Sequence, residues 1–168
     1  MFDKHLDSSL PKPALYQQLN DALRALIEGE PDWIANLANA SSLVFHTLPD
    51  LNWAGFYLLK DDTLIVGPFQ GRPACVRIPL GRGVCGTAAM ERKSVVVPNV
   101  HEFAGHIACD SASNSEIVVP MIQGNRLVGV LDLDSPKFER FDDEDREGLE
   151  AFVAVLLSSE RRTADGGR

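Results

Sequence analysis

The stretch from Ser115 to Ser135, SEIVVPMIQGNRLVGVLDLDS, holds two aliphatic runs on either side of Gln123-Gly124-Asn125. Short runs rich in β-branched residues and bounded by turn formers pack as strands, and so brief a connection makes them an antiparallel hairpin. Side chains alternate along a strand, so on RLVGVLDLDS one face carries Leu127, Gly129, Leu131 and Leu133, and the other Val128, Val130, Asp132 and Asp134. Strand-end aspartates are commonly solvated. A face that begins with two valines is covered, however, and acids that continue it are candidates for a pocket. Glu116 starts the partner strand, so three carboxyl groups are expected to converge at one end of the hairpin.

Upstream, NWAGFYLL and TLIVGPF flank Asp61-Asp62 and read as a first hairpin. Trp53 and Tyr57, four residues apart on it, share a face. They form either an aromatic core pair or, with Gly55 between them leaving room, a wall for a flat or methylated guest. ACVRIP and SVVVP read as strands on either side of a short helix, GVCGTAAMERK. Before the sheet, Leu15, Leu19, Leu23, Leu26 and Ile27 recur at helical spacing, as do Ile34, Leu37, Ala38, Leu43 and Val44 after a break at Gly29 to Pro31. After it, an amphipathic helix is expected from about Asp142 to Arg161, with acids at the positive end of its dipole. Helices, hairpins and a closing helix predict an α+β fold in one domain over residues 1–168. Its central antiparallel sheet of about six strands is flanked by N- and C-terminal helices, with an arm over 1–12 and a flexible tail over 163–168.

At 168 residues the chain is long enough to bury a core without disulfide staples. A net charge of −8 repels polyanions, so nucleic acid is not an expected partner. The longest purely apolar run, Ala151–Leu157, is far shorter than the roughly 20 residues a bilayer requires. MFDKHLDSSLPKP also lacks the apolar core of a secretory signal, so no membrane association and a cytoplasmic location are expected. In a reducing compartment the three cysteines, Cys75, Cys85 and Cys109, cannot close a structural framework; they are small buried hydrophobes or chemically active. Cys109 falls in the connection over residues 99–114, which lacks periodicity and is long enough to be a lid or binding loop. Gly81-Arg82-Gly83-Val84-Cys85-Gly86 matches GxGxxG, yet the helix after it is too short for a dinucleotide crossover, and its glycines suit a tight turn. His101, His106 and Cys109 have the spacing of metal ligands, but no paired CxxC accompanies them and no metal is expected.

NWAGFYLL, VGPFQGRPACVRIPLGRGVCGTAA, VVVPNVHEFAGHIACDSASNSEIVVPM and GVLDLDSP, which cover most of residues 51–136, resemble the free methionine-(R)-sulfoxide reductases, a family of stand-alone GAF domains. The three cysteines, separated by ten and twenty-four residues, carry the specificity, because a generic regulatory GAF domain lacks them. The resemblance implies reduction of free L-methionine (R)-S-oxide to methionine. It makes Cys109 the nucleophile that emerges as a sulfenic acid, Cys75 the residue that closes a disulfide on it, and Cys85 an alternate or relay. Thioredoxin is the implied external reductant, with no bound cofactor. Glu116 and Asp134 match positions that hold the sulfoxide oxygen, and Asp132 joins them. At least one of these acids must carry a proton, because oxide cannot leave near neutral pH, and one can accept the substrate ammonium. Trp53 and Tyr57 become the wall against the S-methyl group, and backbone N–H groups between Asp110 and Glu116 take the substrate carboxylate. The family resemblance also implies a homodimer. One rival reading is a GAF module that binds a cyclic nucleotide or other effector without chemistry. Another, a thiol oxidoreductase acting on proteins, would want a CxxC, which the chain lacks.

Overall fold

A computed structural model describes residues 6–105 and 111–165, with side chains through Ser158. The two leucine-rich periodic segments form α1 (Lys12–Leu26) and α2 (Trp33–Thr47). Asp32 caps α2 by accepting a hydrogen bond from the Ala35 N–H at 2.8 Å. The first hairpin is β1 (Trp53–Lys60) and β2 (Thr63–Gly71), followed by β3 (Arg77–Pro79), α3 (Gly83–Glu91) and β4 (Val95–Val97). A single 3-10 turn, Val100–Glu102, opens the long connection to the second hairpin, β5 (Ser115–Gln123) and β6 (Arg126–Ser135), and the chain ends in α4 (Asp143–Asp165). The six strands make one antiparallel sheet in the order β3-β2-β1-β6-β5-β4. No helix among the described residues is long and apolar enough to cross a membrane.

The architecture is the expected α+β one, and the boundaries differ in two places. Of ACVRIP only Arg77–Pro79 pairs with β2 as a strand, although the Val66 N–H of β2 still donates to the Val76 carbonyl at 3.0 Å. Helix α4 runs on to Asp165, past Arg161 and into the segment expected as a tail, because no Gly or Pro stands between Gly148 and Gly166.

Strand pairing sorts the sheet into two faces. Ala54, Leu133 and Ile117 lie in one cross-strand row, and Phe56, Leu131 and Val119 in the next; both rows join the larger core with α1, α2 and α4. On the opposite face Tyr57, Val118 and Val130 pack against Val84, Cys85 and Ala88 of α3 in a smaller core. The larger core leaves the second face free to build a site.

Asp145, fully buried, fastens the start of α4 to α1. Its carboxylate accepts hydrogen bonds from Tyr16 Oη at 2.8 Å, Lys12 Nζ at 2.6 Å, Arg140 Nη1 at 3.1 Å and the Asp142 N–H at 3.0 Å. Asp142 Oδ1 accepts the Asp145 N–H at 3.1 Å in return, a reciprocal helix cap. Breaking a buried ionic network leaves the remaining charges unpaired. Asp145→Ala is therefore expected to lower the unfolding free energy by about 3 kcal/mol in urea denaturation. A loss of only about 0.5 kcal/mol, as for a surface substitution, would remove the network from the account of stability.

Candidate active site

Trp53 pairs with Asp134, and Asp134 with Glu116; two residues along β6, Asp132 lies between Gly55 and Val118. Directly paired residues share a face, so Trp53, Glu116, Asp132 and Asp134 all point to the side covered by α3. They line a pocket there with Tyr57 and Cys85. About 40 Å3 stands open between its walls, room for one or two waters, so a larger guest must widen it.

Glu116 and Asp132 are both buried, and one ligating atom from each lies within 4.8 Å of the other and of Cys85 Sγ. These three residues are the one cluster among the described residues spaced to hold a metal ion. Burial pushes the Asp132 carboxyl up to about 7, against the opposing effect of hydrogen bonds with Cys85 and Glu116. Burial, followed by the charges of Asp132 and Asp134, pushes Glu116 well above the usual carboxylate range. Two acids so placed titrate as a unit, and the unit keeps at least one proton near neutral pH. Cys85 Sγ makes a long contact with Glu116 Oε1 at 3.9 Å. Burial, then the Asp132 and Glu116 charges, raise its thiol well above the ordinary range, so Cys85 is a thiol and not a thiolate. Asp132 Oδ1 has no hydrogen-bond partner among the described residues, and a buried acceptor in a pocket calls for a donor from a guest. Asp134, half-buried, stands beside the pair and lines the same pocket.

The indole of Trp53 stacks on Phe69 with centroids 5.2 Å apart and on Tyr57 at 5.8 Å, and its Nε1 donates to the Arg72 carbonyl at 3.1 Å. The room expected over Gly55 is already taken. A Cβ there would lie 2.3 Å from Phe69 Cβ and 2.8 Å from the Trp53 ring, so the glycine admits the indole itself rather than a guest. The wall that Trp53 and Tyr57 present to the pocket is therefore a braced aromatic stack.

The Gly81–Gly86 string makes a tight strand-to-helix turn. The Gly81 N–H donates to the Gly86 carbonyl at 2.7 Å, and a Cβ on Gly86 would lie 2.4 Å from the Pro79 oxygen. Three carboxyls in the adjoining pocket make it a poor seat for a nucleotide phosphate. His101 Nε2 is hydrogen-bonded to Asn114 Oδ1 at 2.9 Å. The connection over residues 99–114 is closed at its base by the Val100 N–H donating to the Asn114 carbonyl at 3.0 Å. Cys109, His106 and Asp110 lie outside the described residues. Cys75, half-buried, is disulfide-bonded, and Cys85 is a free cysteine. Sequence reasoning missed two pocket-lining cations, Arg72 and Arg82. Arg82 was in view inside a string read only for its glycines.

The sheet, its flanking helices and a pocket on the α3 face define a GAF domain, and the GAF domain family model matches residues 34–156. The chain is 57% identical over 145 residues to the free methionine-R-sulfoxide reductase of Escherichia coli strain K12, covering 86% of this chain and 88% of that protein. It is 44% identical over 160 residues to the Saccharomyces cerevisiae protein of the same name, covering 90% and 89%. The X-ray structure of the Neisseria meningitidis free methionine-R-sulfoxide reductase in complex with its substrate superposes with a TM-score of 0.93 at 38% identity, covering 99% of this chain and all of that one. Within the GAF domains, the chain belongs to the free methionine-R-sulfoxide reductase family.

Proposed function

We propose that this protein reduces free L-methionine (R)-S-oxide to L-methionine with its own thiols. The observation that carries the reading is the buried Glu116–Asp132 pair, a proton source inside a pocket walled by Trp53 and Tyr57. The Cys109 thiolate attacks the sulfoxide sulfur to form an S–S bond, and the acid pair protonates the oxygen as the S–O bond of the substrate breaks and water forms. That water then attacks the Cys109 sulfur and gives a proton back to the acid pair, the S–S bond breaks, methionine leaves as the thioether, and Cys109 holds the oxygen as a sulfenic acid. The Cys75 thiolate then attacks that sulfur, the hydroxyl departs as water, and a disulfide forms. Two electrons from the thioredoxin dithiol restore both thiols. That Cys75 carries a disulfide while Cys85 is a free thiol supports Cys75 as the resolving residue.

The unsatisfied Asp132 Oδ1 is the natural acceptor for the substrate ammonium. Arg72 and Arg82 supply positive charge near the pocket for its carboxylate, beside the backbone N–H groups between Asp110 and Glu116. A site that pairs both ends of an amino acid has no place for a continuing chain. The reading also carries a cytoplasmic location, where thioredoxin is kept reduced, and a homodimer.

A thioredoxin-coupled assay following NADPH consumption tests the function. Free (R)-sulfoxide is expected to turn over at least about a hundredfold faster than the free (S) epimer or a peptide-bound (R)-sulfoxide. Equal rates with the peptide would remove the two-ended pocket. Tight cyclic-nucleotide binding with no sulfoxide turnover would replace the enzyme by a sensor module.

A further inference from the structure

The reduction cycle above leaves Cys85 without a redox task, although it is buried among the pocket's titratable groups. It sits in the first turn of α3, 3% exposed, with Sγ 3.9 Å from Glu116 Oε1 and within 4.8 Å of an Asp132 carboxylate oxygen. The titratable and charged groups facing the cluster are Tyr57 from β1, Glu116 from β5, Asp132 and Asp134 from β6, and Arg72 and Arg82 from the segments leading into α3. Val97 of β4 and Val100 of the 3-10 turn, in the same smaller core, are apolar. A thiolate between two carboxyls would be repelled by both, whereas an S–H group placed there can donate to either.

We propose that Cys85 is a positioning residue that stays a thiol through the whole cycle and, by donating its S–H to the Glu116–Asp132 pair, holds that pair at one proton. The chemistry needs such a state. A pair with two protons can protonate the sulfoxide oxygen but offers no negative charge to the substrate ammonium. A pair with none binds the ammonium but cannot protonate the oxygen. Burial by itself favours two protons. A neutral donor stabilises the carboxylate form, which agrees with the downward influence of Cys85 on both acids. The consequence for catalysis rests on the sulfoxide reductase reading; the protonation of the pair does not.

The test compares reduced full-length wild type with Cys85→Val, which fills the space without a donor, Cys85→Ala as a smaller donor-free variant, and Cys85→Ser, which restores a donor. Infrared titration of the buried carboxylic C=O band is expected to show the band persisting about one pH unit higher in the Val and Ala variants, and the Ser variant returning to the wild-type midpoint. In the coupled assay at pH 7, KM for the sulfoxide is expected to rise about tenfold in the donor-free variants with kcat little changed, and Ser is expected to rescue it. Disulfide mapping after one equivalent of sulfoxide is expected to find Cys85 unpaired in wild type. An unmoved band in both donor-free variants, a Ser variant as defective as Val, or Cys85 recovered in a disulfide would each overturn the proposal. A shifted band in a protein that never turns over sulfoxide would instead leave the positioning role standing and overturn the activity.

Discussion

Cys109→Ser is expected to lower sulfoxide reduction by at least about three orders of magnitude, in single turnover as well as in the coupled assay. The nucleophile must be anionic and soft enough to attack a sulfur atom. A serine hydroxyl has neither property near neutral pH, and no neighbouring thiol replaces it. Cys85 is buried beside two acids that oppose its ionisation, and the proposed cycle gives Cys75 the later step. Cys75→Ser should therefore separate the two halves of the cycle. One methionine per enzyme forms at near the wild-type rate, a sulfenic acid accumulates that a dimedone probe can trap, and thioredoxin-driven recycling stops. If Cys109→Ser retained a single turnover, or if both variants lost it equally, the division of labour between the two sulfurs would be gone.

The convergence of the three acids was legible in the sequence because it depends only on the two-residue period of a strand. Once SEIVVPMI and RLVGVLDLDS pair as a hairpin, Glu116 and Asp134 must oppose each other, and Asp132 must share their face. The shared face of Trp53 and Tyr57 followed from the same rule. What fills the space between them did not, since Phe69 reaches Gly55 from β2 through a pairing irregularity that no local pattern announces. The contact of Cys85 with the acids was equally hidden. It comes from the docking of α3 on the sheet, a tertiary relation between residues about thirty positions apart. The Asp145 network joins α1 to α4 across most of the chain, whereas the acidic start of α4 that contains it could be read locally as a helix cap.

Glu116→Gln is expected to lower kcat/KM by roughly 10²- to 10⁴-fold, the range for loss of a general acid, while the exposed-turn control Asp61→Asn leaves it within about twofold. The same substitution should stabilise the protein, and the sign follows from proton linkage. Glu116 and Asp132 hold their protons to higher pH in the folded chain than in the unfolded one. Between the ordinary carboxylate range and about 7, where Asp132 titrates, the folded state binds the more protons, so these groups make stability fall as pH rises. Above that window the folded protein bears the full destabilising effect of Asp132, and Glu116 adds its own as it loses its proton. A neutral glutamine of the same shape removes one ionisable member and its repulsion of Asp132 and Asp134. Urea denaturation at pH 8 is expected to find Glu116→Gln about 1–2 kcal/mol more stable than wild type, with the difference shrinking towards pH 4. The activity loss follows the opposite logic: the amide offers no transferable proton to the sulfoxide oxygen, and Asp132 alone cannot both release one and stay charged for the ammonium. The alkaline limb of the wild-type kcat/KM profile should accordingly mark the loss of the pair's last proton. A variant that was inactive and also less stable at pH 8 would show Glu116 to be a packing residue, and the proton would have to come from elsewhere.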